Sequence, residues 1–351
     1  MNYLHIIDLL NYLIPIASIM LIVLLFFLKN SFHLLVSETT DEIRKIHTQP
    51  VIKIGGLSLL SVFFYIIAYK ESVFFELLFF SLIFFSLGLI ADIKEDFSSK
   101  IRFIVMIIVL IFFTIDQNLL IDDLNHQFLN QIFLFSYISS FIFVIFSMMF
   151  IINGLNFIDG NNGLMLGVTL IILVNFALYT EASNHEIHLF VICLSLSIIA
   201  LFLVNFFTGK IICGDGGAYF LGFLIGVISI LISENDIVFA TQVACIIFYP
   251  VFELFFTFWR RIFFEKISPF EPDDLHLHSL IYRILKLKMR SKFNANILNS
   301  TTAVLILIML TFFSIILFYY GQQIGYLNFF FMQSFIYLII YLHLYNYLKK
   351  I

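Results

Sequence analysis

The sequence predicts an all-α polytopic membrane protein, and its composition, its apolar runs and the placement of its basic residues support this class. Of the 351 residues, 62% are hydrophobic, 12% are charged and 47 are phenylalanine. Such a composition excludes an ordinary water-soluble globular protein. The 3 cysteines, all in or beside apolar runs, indicate neither a disulfide framework nor a metal-ligand spacing. The net charge of -4 argues against a nucleic-acid partner.

About eleven apolar runs approach the roughly 20 residues that a helix needs to cross a bilayer. We place them at about 10–28, 52–69, 73–90, 102–118, 132–152, 164–180, 187–207, 216–233, 237–258, 302–320 and 327–347. No small-residue cleavage site follows the first run, so we interpret it as a span and not as a cleaved signal peptide. We therefore expect a single membrane domain over residues 1–351, with a cytoplasmic loop at about 259–301.

The basic residues give this arrangement an orientation. Of the 19 lysines and arginines, only Lys70 falls in a connection on the other side of the membrane from the rest. The side that carries the excess of Lys and Arg is cytoplasmic by the positive-inside rule. We therefore expect the N-terminus outside and the C-terminus in the cytoplasm.

Carboxylates and histidines gather at the predicted cytoplasmic ends of the spans. Asp92 follows the third span, and Asp159 lies between the fifth and sixth spans in NGLNFIDGNNGLMLG. Asp215 opens the eighth span among glycines, in GKIICGDGGAYFLGFLIG. His276 and His278 lie in the ninth connection, in SPFEPDDLHLHSLIYR. The sequence therefore predicts that these residues face one side of the membrane.

Each of these residues also has a purely structural interpretation. Asp159 and Asp215 are candidate helix N-caps, and Asp92 could belong to a mixed-charge juxtamembrane cluster. Asn205 is a candidate interhelical hydrogen bonder, and the two histidines could be plain loop residues. These interpretations do not explain why the features gather on one membrane face.

A charge argument does explain it. Hard cations such as Mg²⁺ bind oxygen ligands, and phosphate binds cations, so carboxylates beside Lys and Arg can bind both together. Glycines let backbone amides approach phosphate oxygens, and helix N-termini add positive potential. The residues alone therefore predict phosphate and metal chemistry at the cytoplasmic interface.

Five motifs in order resemble the polyprenyl-phosphate N-acetylhexosamine-1-phosphate transferases of glycosyltransferase family 4. They are RKIHTQPVIKIGGL at 44–57, the acidic motif after the third span, the Asn-x-x-Asp-Gly motif at 156–164, NFFTGKIICGDGGAYFLG at 205–222 and SPFEPDDLHLHSLIYR at 268–283. The resemblance implies transfer of a sugar-1-phosphate from a UDP-sugar to undecaprenyl phosphate, with release of UMP. The resemblance also implies that the reaction needs Mg²⁺ (or Mn²⁺). It implies a bacterial inner-membrane protein with its active site on the cytoplasmic face, whose product begins a cell-surface polysaccharide such as O-antigen.

The resemblance also assigns roles to single residues. Asp92, Asp159 and Asp215 match the catalytic acids, with Asp215 as the leading Mg²⁺ ligand and Asp92 as the group that positions or deprotonates the lipid phosphate. Asn156, Asn205, His276 and His278 match substrate-binding positions of the family. Lys210 is added as a substrate-binding candidate only because it lies near them. The implied partners are the UDP-sugar, undecaprenyl phosphate and the lipid bilayer. Whether the protein forms a homodimer is left open by the resemblance.

Two positions depart from the family pattern and keep alternatives open. Ala91 stands where the acidic motif has a first Asp, and Asn162 stands where the second motif has a second Asp. The departures fit a subgroup with the same chemistry, which we favour, or an inactive lipid-binding relative. The His-Leu-His spacing argues against the phospho-N-acetylmuramoyl-pentapeptide transferase of peptidoglycan synthesis. A polytopic transporter is another alternative, although its polar residues would lie near the midplane and not on one face.

Overall fold

The structure is a computed structural model that describes residues 3–28, 51–63, 74–94, 96–268, 273–289 and 291–350. This part of the chain is almost entirely helical. The helices are α1 (Tyr3–Leu28), α2 (Phe74–Ile93), α3 (Ser99–Gln117), α4 (Gln127–Phe133), α5 (Tyr137–Phe157), α6 (Leu164–Thr180), α7 (His185–Thr208), α8 (Gly214–Glu234), α9 (Ala240–Ile246), α10 (Phe248–Arg260), α11 (Leu277–Met289), α12 (Ala295–Ile324) and α13 (Tyr326–Lys349). A 3₁₀ helix at Gly55–Val62 precedes α2, and a π-helical turn at Arg261–Glu265 follows α10.

Within the described ranges, 6 helices are long and apolar enough to cross a membrane, or up to 7 if the bent pair of α9 and α10 forms one span. The six are α2, α5, α7, α8, α12 and α13. Residues Leu13–Leu25 of α1 and all of α6 are shorter apolar helical segments. The prediction of an all-helical, multi-pass chain is confirmed, whereas the count of eleven spans and the placement of the termini stay predictions.

Helices occupy most of each of the other ten predicted apolar runs, and of the run 52–69 the structure describes residues 52–63. Residues 52–54 at the start of this run are not helical, so its helical part begins at Gly55, a few residues after the predicted boundary. Ile52 forms a parallel bridge with Ile211, and the N–H groups of Gly55 and Gly56 donate to the carbonyls of Ile212 and Cys213. Hydropathy alone cannot distinguish this buried extended segment from a helix. The end of the run, including Lys70, lies outside the described residues.

The ninth predicted run, 237–258, is not one straight helix. Its two parts, α9 and α10, meet at an angle of 80°. Pro250 lies in the first turn of α10, where a proline is tolerated because its missing N–H has no partner within the helix. The predicted loop at about 259–301 is shorter than expected, since α12 begins at Ala295, and it contains α11.

Helix α8 is the most buried of the candidate spans, with 89% of an 18-residue stretch buried inside the protein. It packs against α2 and α5. A Cβ at Gly222 would collide with the backbone of Ile152 in α5, so this glycine lets the two helices approach closely. The ring of Phe84 in α2 stacks on Phe223 at a centroid distance of 4.8 Å. These contacts hold the middle of α8 between α2 and α5.

Candidate active site at the N-terminus of helix α8

Two carboxylates from other parts of the chain accept the first N–H groups of α8. The N–H of Gly214 donates to Asp159 Oδ2 at 3.0 Å. The N–H groups of Asp215 and Gly216 donate to Oδ1 and Oδ2 of Asp92, both at 3.0 Å. These N–H groups have no acceptor within the helix, and a negative charge is favourable at a helix N-terminus. The contacts bring together the three acids that the sequence places in separate connections.

The interpretation of Asp215 as the cap of its own helix is wrong. The N-cap residue of α8 is Cys213, and in the described part of the chain no side chain of α8 makes the capping bond. Asp92 and Asp159 take that role instead. Asp159 is likewise not the N-cap of α6, since that position is Gly163. The carboxylate of Asp215 is therefore available for other contacts.

Asp215 forms an ion pair with Arg102, which lies in the first turns of α3. Arg102 also donates to the hydroxyl of Tyr219 at 2.9 Å, and Asn156 Nδ2 lies 3.5 Å from the same hydroxyl. The side chains of Arg102 and Asp215 are 20% and 28% exposed, so a ligand can reach both. Sequence reasoning singles out neither Arg102 nor Tyr219, although Tyr219 follows Asp215 at the i+4 spacing of one helix face.

The local charge balance favours a cation. Burial raises the pKa of the Asp159 carboxyl well above its usual range, and the charges of Asp92 and Asp215 add to the effect, while the hydrogen bond from Gly214 opposes it. Lys53 lies close enough to Asp92 to stabilise its negative charge. Three carboxyl groups thus meet two basic side chains, Arg102 and Lys53, and a bound cation would stabilise the charged forms that burial disfavours.

A cavity of about 610 Å³ extends from this site between α3, α5 and α10. Its polar end is formed by Ser99, Arg102, Asn153, Asn156 and Tyr219. Its walls are mainly apolar and aromatic, with Phe103, Ile107, Phe146, Phe150, Leu254 and Phe258 among them. The cavity therefore combines a long apolar surface with one charged end, as a ligand with a lipid tail and an anionic head requires.

The two histidines lie beside this cavity and are buried. His276 Nδ1 is 3.5 Å from Glu253 Oε1, and its Nε2 is 3.7 Å from Asp273 Oδ2. The ring of His278 stacks on that of His276 at a centroid distance of 5.4 Å. Phe157 contacts His276 with a centroid distance of 4.2 Å and also lines the cavity. The histidines therefore border the cavity through this ring.

Asn205 lies in the last turn of α7, and Lys210 lies in the connection between α7 and α8. Asn205 is 3% exposed and bonds the backbone with both polar atoms. Its Oδ1 accepts the N–H of Gly163, and its Nδ2 donates to the carbonyl of Ile211 at 2.6 Å. Lys210 is exposed, and its carbonyl accepts the N–H of Ile52 at 3.0 Å. Asn205 thus joins the turn before α6 to the segment before α8.

The family model described as Glycosyl transferase family 4 matches residues 74–233. Over this range the chain is similar to glycosyltransferase family 4. The matched range runs from α2 to α8, and it includes Asp92, Asp159, Asp215 and their partner Arg102.

Curated proteins show a similarity of the same kind. A protein of Bacillus subtilis named probable undecaprenyl-phosphate N-acetylglucosaminyl 1-phosphate transferase is 29% identical over 67% of this chain and 66% of its own length. An undecaprenyl-phosphate alpha-N-acetylglucosaminyl 1-phosphate transferase of Thermotoga maritima is 25% identical over 68% of this chain and 71% of its own. A phospho-N-acetylmuramoyl-pentapeptide-transferase of Dictyoglomus turgidum is 34% identical, but over only 40% of this chain and 46% of its own. The chain therefore spans about two thirds of the first two relatives.

The resemblance to glycosyltransferase family 4 implies a divalent metal, and the carboxylates of this site are ligands of the kind that Mg²⁺ takes. Among the described residues, no group of three or more His, Cys, Asp and Glu side chains is arranged to hold a metal ion. Mg²⁺, however, is usually held by one or two carboxylates together with water and substrate phosphates. Asp215 offers a partly exposed carboxylate beside the cavity, whereas both oxygens of Asp92 accept N–H groups. Asp215 is thus the carboxylate best placed for a metal shared with a phosphate.

His278 predicts a pH dependence of stability. Burial and the neighbouring His276 lower the pKa of His278 from 6.5 to about 4. Between those values the unfolded chain binds more protons than the folded one, so stability falls as the pH decreases through this window, by on the order of 3 kcal/mol in total. We expect the thermal midpoint of the purified protein to fall on acidification from pH 6.5 to pH 4, and His278→Gln to weaken this dependence. The exposed His185→Gln serves as control, and an unchanged profile in His278→Gln would contradict the assignment.

Proposed function

We propose that the protein transfers N-acetylglucosamine 1-phosphate, or a closely related N-acetylhexosamine 1-phosphate, from a UDP-sugar to undecaprenyl phosphate and releases UMP. The observation that carries the proposal is the apolar cavity that ends at the Arg102–Asp215 pair. A polyprenyl chain fits the apolar walls, and its phosphate would then reach Arg102. The names of the relatives that match two thirds of the chain support this substrate class over the pentapeptide transferase.

The charge arrangement suits the chemistry of this reaction. The lipid phosphate must attack the β-phosphorus of the UDP-sugar, so two anions approach each other and negative charge develops on the leaving UMP. Arg102 and Lys53 lie where they can reduce this repulsion, and Tyr219 and Asn156 can donate hydrogen bonds to phosphate oxygens. Mg²⁺ held by Asp215 would neutralise further charge on the pyrophosphate.

In this proposal Asp92 and Asp159 act mainly by holding the first turn of α8 in place. Each binds the N–H groups of α8, and these bonds fix the first turn on which Asp215 lies. Both oxygens of Asp92 are engaged, which supports positioning and not proton transfer. A phosphate monoester has its second pKa near about 6, so the lipid phosphate carries its nucleophilic charge near neutral pH without a protein base.

The two departures from the family pattern are compatible with activity. Asp92 alone accepts both N–H groups of Asp215 and Gly216, so Ala91 leaves this contact intact. Asn162 is hydrogen-bonded within the protein. These contacts favour an active enzyme over an inactive relative. We propose that its product begins a lipid-linked surface polysaccharide.

Release of UMP by the purified protein tests the proposed function. We expect release from UDP-N-acetylglucosamine only when undecaprenyl phosphate and Mg²⁺ are both present. UMP release from UDP-N-acetylmuramoyl-pentapeptide instead would assign the protein to the peptidoglycan branch. No UMP release from a panel of UDP-sugars would favour a transporter or an inactive lipid-binding protein.

We also propose an eleven-span topology with the active site in the cytoplasm. The three native cysteines are buried, so the labelling background of the chain should be low. Single cysteines at the exposed positions of Asp123, Glu181 and Asn235 should then react with an impermeant maleimide on intact cells. Cysteines at Lys100 and Lys288 should react only after lysis. Labelling of both of the latter on intact cells would place the active site on the wrong face.

A further inference from the structure

Asn162 is the centre of a buried chain of side-chain amides. Its own side chain is 0% exposed, and Asn161 and Asn299 are 3% and 2% exposed. Asn161 Nδ2 donates to Asn299 Oδ1 at 2.7 Å, and Asn299 Nδ2 lies 3.4 Å from Asn162 Oδ1. Asn162 Nδ2 donates to Asn296 Oδ1 at 2.5 Å, and Asn296 Nδ2 lies 3.4 Å from the carbonyl of Phe207. We call these four asparagines the amide relay.

The relay needs an amide at position 162. Every bond runs in the same direction, so the Asn162 side chain must accept from Asn299 and donate to Asn296. A carboxylate has only acceptor oxygens and would face the oxygen of Asn296 without a proton between them. A buried charge with the Asn299 amide as its side-chain donor is also disfavoured, because one long hydrogen bond does not replace its hydration. The relay thus gives a physical reason for an asparagine here.

The relay holds the turn that carries Asp159. The backbone N–H of Asn162 donates to Asn299 Oδ1 at 2.9 Å, which ties the turn to the start of α12. One residue later, Gly163 donates to Asn205 on α7. Three residues before Asn162, Asp159 accepts the N–H of Gly214 at the start of α8. The turn is therefore fixed at one end by amides and supports the first turn of α8 at the other.

We infer that Asn162 is a positioning residue, which acts through the amide relay to hold Asp159 against the N-terminus of α8. The expected effect on turnover rests on the proposed function. The relay would keep the site in place although the motif lacks its second acid. Asn162 itself is fully buried, so it acts without contact to substrate.

A charge substitution and its compensation test the relay. Asn162→Asp should lower kcat by at least about tenfold, with the KM for undecaprenyl phosphate changed by less than about twofold. Adding Asn296→Lys supplies a donor and a positive charge from a partly exposed position, so the double variant should recover most of kcat. Asn294→Asp is the matched control, because it makes the same change at the exposed N-cap of α12, where Asp caps as well as Asn.

The thermal midpoint separates this inference from the proposed function. Asn162→Asp should lower the midpoint and the double variant should restore it, even if the wild-type chain releases no UMP. If Asn162→Asp does not fold, recovery of folded protein in the double variant supports the relay. Wild-type kcat and midpoint in Asn162→Asp, or no recovery in the double variant, would overturn it.

Discussion

Asp215→Asn is expected to lower kcat roughly 100-fold or more while the protein folds normally. The substitution keeps the shape of the side chain but removes the charge that pairs with Arg102 and that would bind the metal. The caps of α8 come from Asp92 and Asp159, so the loss of this charge leaves the helix N-terminus satisfied. Steady-state UMP release and the thermal midpoint of the purified variant measure the two effects separately.

Asp236→Asn is the matched control for this variant. It makes the same chemical change beyond the opposite end of α8, at an exposed residue with a φ of 54°, where asparagine is readily accommodated. We expect it to keep wild-type turnover and Mg²⁺ dependence. Normal turnover of Asp215→Asn at limiting Mg²⁺ would show that Asp215 is not the metal ligand. Asp92 and Asp159 would then be the remaining candidates.

The sequence predicted which acids come together but not how they contact each other. Asp92, Asp159 and Asp215 each lie at the cytoplasmic end of a predicted span, and ends on one side of a bundle can meet. The bond between Asp92 and the N–H of Asp215 joins residues 123 positions apart, so no local pattern indicates it. N-cap preferences favoured Asp215 as a cap because they consider only residues close in sequence to the helix start, whereas Asp92 reaches this N-terminus from another helix.

The helices were predictable for a related reason. An apolar run of about 20 residues can satisfy its backbone in a membrane only as a helix, so composition and length are sufficient for α2, α5 and α8. The segment 52–54 escapes this rule because its backbone bonds the segment 210–213 inside the protein. The 80° bend between α9 and α10 was equally invisible, since both parts are apolar.

The histidines illustrate a third limit of sequence reasoning. The motif placed His276 and His278 in a connection, where exposure is the ordinary expectation. The structure buries both, and Glu253 on α10 and Asp273 supply polar partners for His276. Tyr337 on α13 donates to the same Glu253 at 2.8 Å, so the C-terminal helix takes part in holding the motif.

Asp92→Asn is expected to lower both activity and stability, unlike Asp215→Asn. Both oxygens of Asp92 accept N–H groups of α8, and an amide can accept only one of them while its NH₂ group faces the other. The loss of one capping bond and of the charge at the helix N-terminus should cost about 1–2 kcal/mol, which lowers the thermal midpoint by a few degrees. Because the first turn of α8 then shifts, we expect kcat to fall roughly 100-fold as well.

Two further variants make this prediction specific to the capping role of Asp92. Asp96→Asn changes an exposed acid of the same connection and should leave activity and midpoint unchanged. Ala91→Asp should also have little effect, since the N–H groups of Asp215 and Gly216 already have their acceptor in Asp92. If Asp92→Asn keeps the wild-type midpoint and turnover, Asp92 does not support the site, and the position of Asp215 must depend on Asp159 and Arg102. If instead Ala91→Asp creates activity in an otherwise inert chain, the residue at position 91 is part of the chemistry, and this protein is an inactive relative of its family.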